Sequence, residues 1–309
     1  MHAHVRTDPD RVAVLVKTAT GGDVESVRRV VNGYDNEVYR VTVVNRGQVY
    51  VRIGRHGEGN FDGERWAMAQ AREAGVPVPD VLAIDRIVSD DAERDAMVVE
   101  AATGLAFETV EDRLSTRQRA AVLLDLGRVL ARLHAVRMPG MWRPGVDGRW
   151  LSPSELKPYF IRDRLSERDD LIGAGVDEVE LEQTFNIVNE FPGETPVEPV
   201  LCHGDLNRGH VFLDADLRVA CLIDWGMWHA WSPLGELAYV WKTFGEAGLV
   251  AVLAGSGAGS MTDPSFRRAL AVSVIQQQVG HIAHHVRIGD EAGVNRNVLV
   301  LRRALCEVF

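Results

Sequence analysis

The sequence predicts an α+β fold of two lobes, a small antiparallel β lobe with one helix and a larger, mainly helical lobe. Three observations carry this expectation. β-branched runs broken by Gly and Asn fill residues 26–103, whereas beyond Gly104 the apolar residues recur at long helical periods. At 309 residues the chain is long enough for two lobes with cores of their own, and its 46% hydrophobic and 25% charged residues are ordinary for a globular protein. The change of texture places an N-terminal lobe at 1–103, a connector near 97–104 and a C-terminal lobe at 104–309.

Residues 26–31, 37–44 and 48–53 read as three strands separated by Gly and Asn turns. A helix over 60–74 stops at Gly75, after which Val76-Pro77-Val78-Pro79 forces extended chain, because a proline disfavours helical geometry in the residue before it. Strands over 81–88 and 96–101 flank the charged stretch 90–95, read as a solvated hairpin tip. Helical periods then cover 115–136, 153–168, 177–191, 234–244, 264–288 and 294–309. The Gly- and Ser-rich stretch 255–260 is expected to be a mobile surface loop. The chain shows no internal repeat and no low-complexity tract.

A formal charge of −10 argues against a nucleic-acid surface, which needs clustered Lys and Arg to displace counterions from phosphates. The same charge suits a cationic partner, or serves solubility alone. Cys202, Cys221 and Cys306 form neither a paired framework nor a metal-ligand spacing, as expected in a reducing compartment. The start Met1-His2-Ala3-His4 lacks the apolar core of a signal peptide, and no window is expected to approach the length of a membrane span. A cytoplasmic protein without a membrane partner is expected.

The most informative stretch is Leu201-Cys202-His203-Gly204-Asp205-Leu206-Asn207-Arg208-Gly209-His210, followed by Cys221-Leu222-Ile223-Asp224-Trp225. Asp205 sits in a loop after an apolar approach, and Asp224 closes a short strand. A loop carboxylate can accept the proton of an attacking hydroxyl, and a strand-end carboxylate can hold the magnesium that neutralises nucleotide phosphates. His-Gly-Asp, a side-chain ligand five residues on, a hairpin and Ile-Asp-Trp together resemble the catalytic pattern of the aminoglycoside phosphotransferase family, a group that includes the hygromycin phosphotransferases. The resemblance spans about 26–238 and implies a protein-kinase-like two-lobe fold with the active site in the cleft.

In the small lobe, Val49, Val51 and Ile53 share one face of their strand, so Tyr50 and Arg52 point to the other. The resemblance makes Arg52 the counterpart of the phosphate-binding lysine of protein kinases, with a planar fork for phosphate oxygens. Glu64 lies on the helical stripe of Ala67, Met68 and Ala71, and a glutamate facing inward needs a partner. Arg52 is the expected one, unless Glu64 snorkels at the margin of the stripe. The turn Asn32-Gly33-Tyr34-Asp35-Asn36 is a plain hairpin turn or a phosphate loop; the resemblance would place Asn36 at the triphosphate. It likewise implies that backbone groups of Glu100 and Ala102, in the connector, meet the base of ATP or GTP.

In the large lobe, Asp205 would orient the acceptor hydroxyl and take its proton late, while His203 braces the loop and Arg208 is expected to point outward. One position departs from the family pattern, because the residue five after Asp205 is usually Asn and here is His210. Magnesium prefers oxygen ligands, so His210 would ligate through a ring nitrogen, hold a metal-bound water, or pair with Asp205 or Asp224. Asp224 is the expected metal ligand. Glu236, before Leu237-Ala238, takes the place of an acid that helps fix the catalytic loop, and is also a candidate at the acceptor. Trp228, His229 and Trp231 either line the acceptor pocket or pack as core. Val274, Gln278, His281 and His285 share a helical side, which puts His281 among the acceptor candidates. His281 and His285 have an i, i+4 spacing but no third zinc ligand.

These features together imply an ATP- or GTP-dependent, magnesium-requiring phosphotransferase. Its acceptor would be a hydroxyl on a small, polar or cationic molecule, with an aminoglycoside or related antibiotic as the leading class. A metabolic kinase for an amino sugar, choline-like or homoserine-like alcohol is the alternative of the same chemistry. A kinase-like binding protein with weak turnover is the alternative of another class, and the retained Asp205 and Asp224 speak against it. A protein kinase is disfavoured because no activation segment with an Ala-Pro-Glu-type end is present.

Overall fold

The computed structural model describes residues 7–30, 36–54, 61–89, 92–190 and 198–309. The chain opens on a helix that the strand-and-helix reading did not assign, α1 (Pro9–Thr20). Asp8 caps it by accepting from Asp10 N, Pro9 fits its first turn and Gly21 ends it in the left-handed region. Strands β1 (Val24–Val30), β2 (Asn36–Val43) and β3 (Gly47–Gly54) follow, then α2 (Phe61–Glu73), β4 (Val81–Ser89) and β5 (Ala92–Glu100). They form one antiparallel sheet in the order β1-β2-β3-β5-β4. Of the helix expected over 60–74, residues 61–73 form α2; residues 32–35, 60 and 90–91 lie outside the described residues, and 92–95, expected as part of a solvated hairpin tip, belong instead to β5, paired with β4, because Arg94 turns inward to Glu37.

Alternation decides which face of this sheet is buried. In β2 Glu37, Tyr39, Val41 and Val43 are buried and their neighbours are not, and β3 buries Val49, Val51 and Ile53. α1 packs Val12, Leu15 and Val16 onto that face. Glu37, which the alternation drives inward, is compensated by Arg94 at 2.8 Å, by Thr7 N at 2.9 Å and by the Tyr39 hydroxyl at 2.6 Å. The opposite face, with Asn36, Val38 and Arg52, is left to the cleft.

The large lobe contains β6 (Leu105–Ala106), α3 (Phe107–Val110), α4 (Thr116–Leu133), α5 (Pro153–Ser166), α6 (Arg168–Gly173) and α7 (Glu178–Asn189). Next come β7 (Val200–Cys202), β8 (Val211–Leu213), β9 (Val219–Leu222) and β10 (His229–Trp231), and then α8 (Pro233–Ser256), α9 (Pro264–Ile288) and α10 (Glu291–Leu305). The helix expected over 153–168 divides into α5 and α6 at Glu167. Two ribbons frame the motif: β6-β8-β9 holds its far side, and β10 pairs with β7 before it. α4, α8 and α9 bury most of the large core, around Leu126, Leu130, Val240, Phe244, Val274 and Ile275.

Helix α8 corrects two expectations. Its sequence period breaks at Gly245, whose φ of 71° bends the chain, but helix resumes to Ser256. Gly255 is therefore a packed helical residue and not part of a mobile loop. By length and composition α8 is apolar enough to cross a membrane, with a mean hydropathy of 1.3 in its best window, yet half of that window is buried against the other helices. Gly127 of α4 and Gly255 of α8 let the two backbones touch: a Cβ at Gly127 would lie 2.1 Å from the Val252 carbonyl oxygen, and one at Gly255 1.9 Å from that of Leu124. Gly127→Val is expected to destabilise the protein by about 3 kcal/mol, since neither backbone can yield without unpacking the pair. Denaturant unfolding checks this, and a loss below about 0.5 kcal/mol would show that the contact is slack.

Candidate active site

Strand β7 delivers the chain into a loop that only glycine can turn. Gly204 has a φ of +83°, and a Cβ there would sit 2.1 Å from the Met227 carbonyl oxygen and 2.7 Å from His229 Nδ1. His203, fully buried, fixes the loop from within. Its Nε2 lies 2.8 Å from the Ile223 carbonyl, which can only accept, so Nε2 carries the proton and Nδ1 accepts from Asp205 N at 3.3 Å. Burial lowers its pKa to about 4, which leaves a neutral brace. Trp225, also fully buried, packs beside this ring and donates to the Leu222 carbonyl at 3.0 Å.

Asp205 emerges from that loop with its side chain 38% exposed. Asp224 follows β9 and takes a φ of 64°, a left-handed conformation that Asp tolerates better than most residues. Between them stands His210. Its Nδ1 lies 2.7 Å from the Asp205 carbonyl oxygen and so donates to it, and its Nε2 lies 3.5 Å from Asp224 Oδ2. Asn207 closes the turn by accepting from Gly209 N at 2.9 Å and reaches His210 Nε2 at 3.2 Å. Ligand atoms of Asp205, His210 and Asp224 all lie within 4.8 Å of one another.

The small lobe meets this group through Arg52. Its Nη1 pairs with Glu64 of α2 and its Nη2 lies 2.9 Å from Asp224 Oδ1, so one guanidinium joins the sheet, the helix and the strand-end acid. Glu64 is 4% exposed. Burial raises its pKa, and Arg52 opposes the rise. The register pairs Val38 with Arg52 and Asn36 with Gly54, which sets Asn36 and Arg52 on the same face of the sheet.

The two acids are tuned in opposite directions. Burial raises the pKa of Asp205 above the ordinary carboxylate value, with Asp224 adding to the rise and His210 opposing it. Asp224 feels burial too, but Arg52 and the two histidines outweigh it and hold its pKa below the ordinary value.

Several expected residues find different work. Glu236 is 2% exposed and accepts from His203 N at 2.5 Å, so it anchors the His203–Asp205 loop from within the core. Trp228 is 2% exposed, its ring tilted 48° to that of Trp66 of α2 at 5.3 Å and covered by the Arg143 guanidinium at 5.4 Å, so it packs at the lobe junction instead of lining a pocket. Trp231 is half-buried against Phe160 and Trp142. Arg208, expected to point outward, is half-buried: its Nε pairs with Glu111 at 2.8 Å and its guanidinium lies 5.6 Å from the centre of the buried Phe244 ring. Glu100 donates its N–H to the Asp80 carbonyl at 2.9 Å and pairs its side chain with Arg46, and Ala102 follows half-buried at the strand end. His281 faces Tyr239 and Lys242 of α8.

Arg143 was invisible in the sequence. It lies between helices in a stretch without a motif, yet it donates to the Trp228 carbonyl at 2.6 Å and to the Gly226 carbonyl, clamping the segment after Asp224. Lys242 and Tyr239 were missed for a different reason, as the alternation of α8 marks them only as non-core.

Glu236 carries a pH signature. Burial raises its pKa to about 7, against backbone donors that lower it. The unfolded chain ionises this group near its ordinary value, so the folded protein binds the extra proton in between and stability falls as pH rises from about 4.5 through 7. The melting temperature is expected to drop between about pH 5 and pH 8 more steeply in the native protein than in Glu236→Gln, which keeps an acceptor for His203 N. Parallel melting curves in the two proteins would contradict this assignment.

With the geometry in place, comparisons with known proteins decide the family. The model of the phosphotransferase enzyme family matches residues 26–270, which include both lobes and the entire motif. The chain belongs to this family. Among solved structures, the phosphotransferase superposes on aminoglycoside phosphotransferase APH(4)-Ia in a ternary complex with ADP and hygromycin B. The TM-score is 0.70 at 18% identity, over 94% of this chain and 98% of that one. A complex of APH(2'') with GDP and kanamycin gives 0.70 at 18% identity, over 96% and 99%. The GDP complex of wild-type aminoglycoside 2'-phosphotransferase-IIIa gives 0.67 at 16% identity, over 97% and 99%. No curated protein matches in sequence. At these identities the likeness is one of fold, a kinase-like fold of two lobes, and the enzyme class rests on the match to the phosphotransferase family.

Proposed function

We propose that this phosphotransferase takes the γ-phosphate of ATP or GTP and transfers it to a hydroxyl of a polar antibiotic-type acceptor, with aminoglycosides as the leading class. The observation that supports it best is the joining of Arg52, Glu64 and Asp224 across the cleft, with Asp205 and His210 beside Asp224. The neighbours bound to ADP, GDP, hygromycin B and kanamycin support the choice of donor and acceptor.

Each residue has a step that its position suits. Arg52, held by Glu64, would carry its fork to the phosphates, and Asn36 on the same face would meet the triphosphate. Backbone groups of Glu100 and Ala102 would receive the base. The two carboxylates offer hard oxygen donors that fit magnesium, so Asp224 would hold the ion, with His210 as a nitrogen ligand or as the holder of a metal-bound water. When bound, magnesium neutralises charge on the phosphates. Asp205 would align the acceptor hydroxyl and accept its proton as the bond to phosphorus forms, its raised pKa suiting it to that task. Glu236 and His203 keep Asp205 in place.

A nucleotide-consumption screen tests this. ATP and GTP would be offered with a divalent cation and a panel of hydroxylated antibiotics and sugar alcohols. Release of nucleoside diphosphate that depends on the acceptor is expected. Release at the same rate with and without every acceptor would contradict the proposal.

A further inference from the structure

The two lobes are joined in two ways near Asp224, once through charge and once through rings. The charged tie is Arg52, which connects Glu64 of α2 to Asp224. Three tryptophans make the second. Trp66 of α2 lies 5.3 Å from the ring of Trp228 and 6.2 Å from that of Trp150, and those two rings stand 6.4 Å apart. Trp228 and Trp150 belong to the large lobe, so the Trp66 indole is held between two rings across the junction. Glu64 and Trp66, two residues apart, leave the helix about 200° apart around its axis, and together they oppose its rotation. Ala67, Met68 and Ala71 pack the rest of α2 on the large core, but two of the three are alanines and give little purchase against a turn.

Both ties run into Arg143, a half-buried residue on the stretch 141–151 between α4 and α5. That stretch doubles back on itself: Met141 N donates to the Leu151 carbonyl at 2.8 Å and Gly145 N to that of Arg149 at 2.9 Å. Reciprocal bonds of 2.7 Å between Trp142 and Ala230 fasten it to β10. Trp142 takes a φ of 65°, a left-handed conformation that is costly for a bulky residue, so the surrounding bonds impose the turn that leads into Arg143. Arg143 then donates Nε to the Trp228 carbonyl at 2.6 Å and Nη2 to that of Gly226, with its guanidinium 5.4 Å from the centre of the Trp228 ring. Gly226 lies against the charged tie itself: a Cβ there would sit 3.4 Å from Arg52 Nη2 and 3.5 Å from Asp224 Oδ1. One side chain therefore fixes both the ring that wedges α2 and the backbone beside the Arg52–Asp224 bond.

We propose that Arg143 and Trp66 are positioning residues that lock α2 to the segment after Asp224, and thereby keep Glu64, Arg52 and Asp224 aligned for nucleotide and cation. This rests on the phosphotransferase function above and deepens it, by adding to the groups that would meet the nucleotide the two that hold them in place. The lock is a closed chain. Arg143 holds Trp228, Trp228 packs on Trp66, α2 carries Trp66 and Glu64 together, and Glu64 reaches Asp224 and Gly226 through Arg52, where Arg143 holds again. In a closed chain the loss of one link slackens the others, so two losses together are smaller than their sum. A misplacement of about 1 Å in such a site can lower the rate about 100-fold.

The test compares the native protein with Trp66→Ala, Arg143→Met, Arg143→Lys and the double variant Trp66→Ala/Arg143→Met, each checked for folding by thermal melting. Trp66 is 39% exposed, so Trp66→Ala opens no sealed cavity and keeps the test readable should Arg143→Met fail to fold. Hydrogen exchange read by mass spectrometry needs no acceptor. The amides of α2 are expected to exchange at least about tenfold faster in Trp66→Ala and Arg143→Met, with α4 and α9 as in the native protein. In kinetics with nucleotide, magnesium and acceptor, kcat/KM for nucleotide is expected to fall about tenfold in each, chiefly through KM, with about threefold more magnesium needed for half-maximal rate. Arg143→Lys, which can still reach one of the two carbonyls, should recover part of the loss, and the double variant should lose little more than the worse single one. Fully additive losses of about 100-fold in the double variant, or native exchange of α2 in the folded single variants, would overturn the lock. Faster exchange of α2 in the variants, with no acceptor phosphorylated by the native protein, would overturn the proposed function and leave the lock standing.

Discussion

Asp205→Asn should lower kcat for phosphoryl transfer by about 10³-fold while nucleotide affinity changes by less than about threefold. The loop that carries Asp205 is held by His203, Glu236 and Gly204, none of which needs the carboxylate, so the amide variant should keep its place. What it loses is the acceptor for the hydroxyl proton and the charge that aligns the nucleophile. A loose transition state demands little early deprotonation, so alignment accounts for much of the loss. Steady-state kinetics with a fluorescent nucleotide titration separates the two effects. A variant that keeps more than about a tenth of native kcat would move the role of base to another group.

Glu64→Ala should be nearly as damaging by a different route. Glu64 is the buried half of a pair whose other half also touches Asp224. Without Glu64, Nη1 of Arg52 loses its carboxylate while Nη2 stays on Asp224, so under the proposed function the guanidinium would compete with the cation there and be less well aimed at the phosphates. Removing one partner of a buried pair also strands the other charge, at a cost of about 3–5 kcal/mol. A fall in kcat/KM for nucleotide of about 100-fold is expected, with a requirement for more magnesium. Glu64→Gln, which keeps one acceptor, should lose less. If Glu64→Ala binds nucleotide and cation as the native protein does, Arg52 is placed by something other than Glu64.

How much of this was legible in the sequence differed by element. The five strands of the small sheet were readable because one face is buried and alternation must show it, and α9 was readable because Asp263-Pro264 starts it and Gly289 ends it. α1 was equally marked, by Asp8, Pro9 and Gly21, and was passed over because its exposed face is mixed and its place is set by a sheet that comes later in the chain. The continuation of α8 past Gly245 was hidden because glycine signals both helix ends and bends. Within the site, spacing brought Asp205, His210 and Asp224 together, and the helical stripe gave Glu64. Spacing carried no sign of Arg143, whose role depends on which distant carbonyl and ring it meets. Trp228 was misplaced because a tryptophan near a motif looks the same in sequence whether it lines a cleft or, as here, is covered by Trp66 and Arg143.

The most direct measurement of the chemistry is the mass of the acceptor after reaction with nucleoside triphosphate and magnesium, taken in parallel for the native protein and Asp205→Asn at saturating nucleotide. The expected result is one added phosphoryl group on the acceptor with the native protein and almost none with the variant. Equal adduct in both, or nucleotide hydrolysed by the native protein with the acceptor unchanged, would contradict the assignment of Asp205 to a hydroxyl-phosphorylating site.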